Sequence, residues 1–148
     1  MQYHESKRFF CSCERIFSVV ADIERYPEFL PGWSQARILR CGEAWLEVEQ
    51  QLQLALFRIR FRSRARLVPC RRIVITSEEA PFGAISIEWE FAPRAGGSHC
   101  DVSLRIELAL RPGPLKPPLQ RFLRHAGGAL LQRFEERVRE LSGTADPS

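Results

Sequence analysis

DIERYPEFLPGW, running from Asp22 to Trp33, is where the period of the chain changes. Before it lies a short amphipathic helix pattern; after it come alternating strands. Pro27 and Pro31 fix φ and disfavour helix at the residues before them, so the segment cannot be one long helix. It reads as a helix end, a tight corner, a stiff turn presenting Tyr26, Phe29 and Leu30, and an exit through Gly32 into Trp33. Apolar side chains on so punctuated a loop either plug a core or gate a cavity. The neighbouring segments bear on which.

Upstream, residues 2–10 make a first strand, and Ser12 is placed to cap a helix over ERIFSVVAD whose Ile16, Phe17, Val19 and Val20 form an apolar side. Downstream, residues 34–41 lead to a Gly42-Glu43 turn. Residues 44–54 then alternate, with Leu46, Val48, Leu52 and Leu54 on one face and Glu47, Glu49, Gln51 and Gln53 on the other. Only Gln50 interrupts the apolar face, a pattern that fits a half-buried antiparallel strand. Residues 71–78, 84–92 and 99–111 are further strands, with Ile85, Ile87, Trp89 and Phe91 inward on one and Val102, Leu104, Ile106, Leu108 and Leu110 inward on the next. A second proline–aromatic–glycine corner, Pro81-Phe82-Gly83, joins two of them. From Pro118 the period returns to 3.6, and Leu119, Phe122, Leu123, Ala126, Leu130, Phe134, Val138 and Leu141 predict one long helix through Ser142. Gly127-Gly128 interrupts it at roughly 1 kcal/mol per glycine relative to alanine, which either kinks the helix or admits something close to its backbone.

Residues 56–67 are the clearest strand. Phe57, Ile59, Phe61, Ala65 and Leu67 share a face with Ser63, while Arg58, Arg60, Arg62, Arg64 and Arg66 share the other. A tight turn near Leu54-Ala55 sets Glu47 and Glu49 against these arginines, which makes the ribbon a solvated, cross-strand-paired face. The competing reading is contact with an anionic surface: membrane, RNA or a protein partner. Phe57 and Phe61 point away from the arginines and lend the RNA reading no support.

The net charge is +4, and of the 22 basic residues only Lys7 and Lys116 are not arginine. No apolar run reaches the roughly 18 residues that would span a bilayer, and the first ten residues lack the basic-then-apolar order of a secretory signal. A cytoplasmic protein is expected. Cys11, Cys13, Cys41, Cys70 and Cys100 are odd in number and dispersed, which predicts free thiols and no zinc site. His4, His99 and His125 lie far apart, without metal-ligand spacing. The pattern as a whole is α+β: about six to seven antiparallel strands in a sheet curved around a long C-terminal helix, leaving an apolar cavity between them. One domain covers residues 1–142, and 143–148 form a disordered tail.

The stretch DIERYPEFLPGW, with ARIL soon after it, resembles the aspartate–x–x–x–tyrosine–proline–x–phenylalanine–leucine–proline segment of the coenzyme-Q-binding and ribosome-association-toxin-like branch of the polyketide cyclase/START-like superfamily. APFGAISIEWEF resembles the same branch's glycine–proline–phenylalanine corner, with Ala80 where glycine is usual and Trp89 and Phe91 on the strand that follows. The likeness spans residues 3 to 141; the basic strand and the glycine pair are not part of it. It implies a helix-grip fold whose cavity binds a lipid-like ligand. In mitochondrial members that is coenzyme Q, carried in support of respiration. Bacterial members imply a similar task or the blocking of ribosomal subunit association.

On this reading Tyr26, Phe29, Leu30, Trp33 and Phe82 line the mouth of the cavity, and Phe57, Phe61, Trp89, Phe91, Phe122, Ala126 and Leu130 line its body. The ligand is a hydrophobic small molecule, ubiquinone or another lipid, and no cofactor is required. The plain alternative for each aromatic is that it fills core. Partners are peripheral contact with the inner membrane or, through Arg58, Arg60, Arg62, Arg64 and Arg66, the ribosome or RNA; the sequence leaves the oligomeric state unspecified. Cyclase or dehydratase chemistry is a further alternative, but Gln50 and Ser63 are the only polar inward positions and neither transfers protons at neutral pH. No catalytic constellation emerges.

Overall fold

The computed structural model describes residues 1–126 and 130–145. Seven strands form one antiparallel sheet: β1 (Gln2–Phe9), β2 (Trp33–Cys41), β3 (Trp45–Leu54), β4 (Phe57–Val68), β5 (Arg72–Ala80), β6 (Gly83–Arg94) and β7 (His99–Leu110). Their order is β1-β7-β6-β5-β4-β3-β2, so each strand after β2 pairs with its predecessor and β1 closes against β7. Bulges between Trp33 and Gln35, Ile38 and Arg40, and Ser77 and Ala80 bend the sheet. Among the described residues three α-helices, α1 (Cys13–Ala21), α2 (Lys116–Ala126) and α3 (Leu130–Ala145), accompany the sheet, a 3-10 helix over Ile23–Glu28 forms the corner, and a short one over Ala95–Gly97 joins β6 to β7.

The local chemistry accounts for these boundaries. The Ser12 hydroxyl accepts a bond from the Arg15 N–H at 3.3 Å and caps α1. Leu54 pairs with Phe57 across a two-residue turn in which Ala55 takes φ +53°. Gly83 starts β6 at φ +134°, and a Cβ there would fall 2.0 Å from the Ala109 carbonyl oxygen. No other residue fits that crossing of β6 and β7. In α2 and α3, Leu119, Leu123, Leu130, Leu131, Phe134 and Val138 face the sheet and are buried.

The C-terminal helix expected over 118–142 is described on both sides of the glycine pair, as α2 from Lys116 to Ala126 and as α3 from Leu130 past Ser142 to Ala145. The Gly127-Gly128 pair and the tail beyond residue 145 lie outside the described residues. The expectation of five free thiols is overturned for two of them, because Cys13 and Cys100 form a disulfide. The first residue of α1 lands over the second residue of β7, with Cα atoms 5.0 Å apart and a sequence separation of 87. Cys11, Cys41 and Cys70 remain free. Among the described residues no helix is long and apolar enough to cross a membrane, and no group of His, Cys, Asp or Glu is placed to hold a metal.

Candidate functional site

The inner face of the sheet is covered in two different ways. Under α3 and the corner, aromatic rings fill the space. Phe134 meets Trp89 at 4.9 Å, Phe29 at 5.2 Å and Tyr26 at 5.5 Å between centroids, all edge-to-face. Trp89 stacks on Phe91 and Phe91 meets Phe17, extending the layer to α1. The Tyr26 hydroxyl donates to the Val20 carbonyl at 2.6 Å, and burial pushes its phenol upward, with Asp22 adding to the effect. Outside this layer Glu28 accepts from Arg25 at 2.8 Å and from Arg137 of α3 at 2.6 Å. These two guanidiniums, Arg25 foremost, hold the Glu28 carboxyl below its usual range. The Arg137 guanidinium also lies 5.3 Å over the Phe29 ring. The corner is thereby clamped to α3.

Under α2 the packing is incomplete. A cavity of about 60 Å³ lies between that helix and the sheet. Its wall is aliphatic: Leu52, Ile75, Ile85, Ile87, Ile106 and Leu108 from the strands, and Leu119, Leu123 and Leu130 from the helices. Trp33, Phe61, Phe82 and Phe122 supply its rings, with Trp33 and Phe122 half-buried at the rim and 5.8 Å apart.

Among the described lining residues one polar side chain, Gln50, enters this wall, only 4% exposed. It is satisfied on both sides: the Trp33 indole N–H donates to Gln50 Oε1 at 2.8 Å, and Gln50 Nε2 donates to Ser63 Oγ at 2.9 Å. Ser63 is itself 3% exposed. Three adjacent strands, β2, β3 and β4, each contribute one member of this relay.

Of the candidate ligand-contacting residues, Trp33, Phe61, Phe82, Phe122 and Leu130 are thus gathered at the cavity. Tyr26, Phe29, Trp89 and Phe91 are gathered in the aromatic layer instead. Leu30 is buried in the core and Phe57 half-buried at the β3–β4 hairpin, neither on the cavity wall. The side chain of Ala126 lies outside the described residues. The aliphatic wall was not singled out from sequence, although strand alternation already placed Ile85, Ile87, Ile106 and Leu108 inward.

The arginines of β4 are all exposed on the outer face. The register sets Arg64 opposite Glu47 and Arg62 opposite Glu49. The carboxylates are shared: Glu47 binds Arg40 of β2 at 2.6 Å, while Glu49 lies 3.7 Å from Arg37 and 3.9 Å from Arg62. Arg40 holds the Glu47 carboxyl below its usual range. Arg60 donates to Gln51, and Arg64 stacks 4.9 Å over Trp45. Arginine therefore exceeds carboxylate across β2, β3 and β4. Elsewhere, a broad open hollow of about 1180 Å³ lies between β1, the β4–β5 turn and the β6–β7 end. Its Asp101 is already held by Arg8 and Arg94 at 2.9 and 2.8 Å, and the hollow lies open to solvent, without the enclosure of a small-molecule site.

Comparison with known proteins agrees with this geometry. A model of the family described as polyketide cyclase / dehydrase and lipid transport matches residues 11–135. The ribosome association toxin RatA of Pseudomonas aeruginosa is 30% identical over 129 residues, covering 86% of this chain and 88% of that protein. The mitochondrial coenzyme Q-binding protein COQ10 homolog B of Xenopus laevis is 24% identical over 98 residues, 66% of this chain and 40% of that one. The crystal structure of the Zhui aromatase/cyclase from Streptomyces sp. R1128 superposes with a TM-score of 0.80 at 18% identity, covering 94% of this chain and 93% of that one. At that identity the likeness speaks for a shared helix-grip fold and nothing further.

Proposed function

The chain belongs to the polyketide cyclase / dehydrase and lipid transport family, and from that premise we propose that it holds an apolar, lipid-like small molecule between its sheet and α2 as a carrier or chaperone. The observation that carries this reading is the cavity wall: aliphatic and aromatic, interrupted by a single amide, and without an acid, base or nucleophile among its described lining residues. Such a wall suits binding and gives cyclase or dehydratase chemistry no proton-transfer group. At about 60 Å³ the cavity is well below the roughly 300–1,000 Å³ of small-molecule sites. A ligand therefore enters only as the Trp33 and Phe122 rings part and α2 moves off the sheet. Burial of an isoprenoid tail, at roughly 25 cal/mol per Å², supplies the driving force. An isoprenoid quinone such as ubiquinone is the first ligand to try, since the Xenopus relative is named for binding coenzyme Q. Loading would bring the chain to a membrane surface peripherally.

The test is direct. An organic extract of the purified protein, analysed by mass spectrometry, should contain a quinone or other lipid, and added ubiquinone should raise the melting temperature. Protein that is lipid-free and indifferent to added ubiquinone would end the carrier reading.

A second reading is favoured by a separate observation. The exposed ribbon of Arg58, Arg60, Arg62, Arg64 and Arg66 accompanies 30% identity to a relative named for ribosome association. On that reading the outer face docks on ribosomal RNA. Exchanging Arg60, Arg62 and Arg64 for glutamine should then weaken co-sedimentation with ribosomes and flatten its salt dependence by about two units of slope. Unchanged co-sedimentation leaves the ribbon as a solvated face.

A further inference from the structure

The relay in the cavity wall specifies more than apolarity. Strand β3 alternates strictly, and position 50 falls where Leu46, Val48, Leu52 and Leu54 mark the inward phase. An aliphatic residue there would complete the wall. Instead the chain buries an amide and supports it with a second buried polar group from β4 and an indole N–H from β2. Such a network is costly to bury unless each member finds a partner.

The partners also fix which way the amide faces. An indole N–H only donates, so the end of Gln50 turned toward Trp33 is the oxygen, and the end turned toward Ser63 is the –NH₂. Every buried nitrogen and oxygen of the described side chains has a partner, yet an amide has more capacity than these two bonds use. One lone pair and one N–H of Gln50 are left over. A carbonyl oxygen tolerates a single bond in a protein interior, whereas an orphaned buried N–H is rare. The group that still calls for a partner is therefore the donor, at a side chain that forms part of the cavity wall.

We infer that Gln50 is a polar anchor that selects, among apolar molecules, those bearing a hydrogen-bond-accepting oxygen, a carbonyl above all. This rests on the cavity-binding reading and narrows its ligand class. The ligand's oxygen takes the free Gln50 N–H, Trp33 and Ser63 hold the amide in orientation, and the aliphatic wall takes the ligand's hydrocarbon. A plain hydrocarbon of the same shape leaves that N–H unmatched and binds more weakly. Gln50 is the binding residue; Ser63 positions it.

A matched pair of probes tests this on the intact protein: a benzoquinone bearing one isoprene unit, and the hydrocarbon of the same skeleton without oxygens. Calorimetric titration should show the quinone binding about tenfold more tightly, the discrimination typical of one good buried hydrogen bond. In Gln50→Leu the two probes should bind within about twofold of each other, with hydrocarbon affinity retained. Ser63→Ala, which leaves Trp33 alone to orient the amide, should lower the preference without abolishing it. Because Gln50→Leu strands the Trp33 N–H and could impair folding, the same point is read in the wild type by NMR. The side-chain NH₂ resonances of Gln50 should shift with the quinone and not with the hydrocarbon. Equal binding of both probes by the wild type, a preference surviving in Gln50→Leu, or an unmoved Gln50 amide overturns the anchor while leaving the cavity as a binding site. Binding of neither probe removes the cavity reading and the anchor with it.

Discussion

The α3 half and the α2 half of the interior lie against the same sheet, yet they are filled by different chemistry. In the first, rings from α1, the corner, β6 and α3 meet edge-to-face around Phe134 and leave little space. In the second, Leu and Ile side chains from four strands and two helices surround a void. Flat rings that interlock from several elements determine one another's positions. Short aliphatic side chains under a helix do not, and the packing gives way there. On the proposed carrier reading, firm packing beside loose packing lets one half hold the fold while the other admits a guest.

The contrast predicts where mutations act. Phe134→Ala should have the largest effect, about 3–5 kcal/mol lost from the centre of the aromatic layer, read as a fall in the urea midpoint. Leu123→Ala, on the hollow side, should cost about 2 kcal/mol, at the low end for a buried leucine, because its surroundings are already loose. It should also widen the cavity and speed ligand uptake. If Leu123→Ala matches Phe134→Ala in cost, the two halves are equally well packed and the comparison fails. Leu108→Phe should change stability by only about 1 kcal/mol, since the added ring occupies existing space, but should abolish ligand binding. An equivalent overfill at Val102, which is 1% exposed and pairs with Phe91 of the aromatic layer, should be far worse tolerated.

The smallest effects belong to the surface. Glutamine for Arg60, Arg62 and Arg64 should move stability by no more than about 0.5 kcal/mol each. The Glu28 clamp is exposed and modest, and its sign is fixed by its depressed carboxyl. Its contribution is present above the unfolded carboxylate's pKa of about 4.3 and is lost as pH falls through the lower, folded value. Denaturation midpoints of the wild type and Glu28→Gln should therefore differ at neutral pH and converge in acid.

Most of the architecture was legible from the chain, because alternation is a local property. The run from Phe57 to Leu67 displays its inner and outer faces residue by residue, and the acids of β3 announce which face they share with the arginines. Alternation does not report depth along the sheet. Trp89 and Ile87 lie on the same inward phase of β6, but one meets Phe134 and the other the void. That is why large rings stood out as cavity lining and several belong to the filled half. The Cys13–Cys100 bond was hidden for a related reason: sequence spacing carries no trace of α1 folding back onto β7. Gln50 was visible as the one break in an apolar face. Its meaning depended on Trp33 and Ser63, which only the sheet brings beside it. Of the corner Asp22–Trp33, Tyr26 and Phe29 pack into the aromatic layer while Trp33 lies on the cavity wall.

The placement of β1 beside β7 has a consequence for how this protein is made. Phe9 pairs with Cys100 and Gln2 with Glu107, so roughly 90 residues or more must be synthesised after β1 before its partner exists. At about 5–20 residues per second, the first strand waits some 5–20 seconds with its hydrogen-bonding edge open. The strands from β2 to β6 can pair with their neighbours as they appear, while β1 can only be held or shielded. The nascent chain is thus most exposed to misassociation at β1, until β7 arrives and the disulfide partners meet beside it.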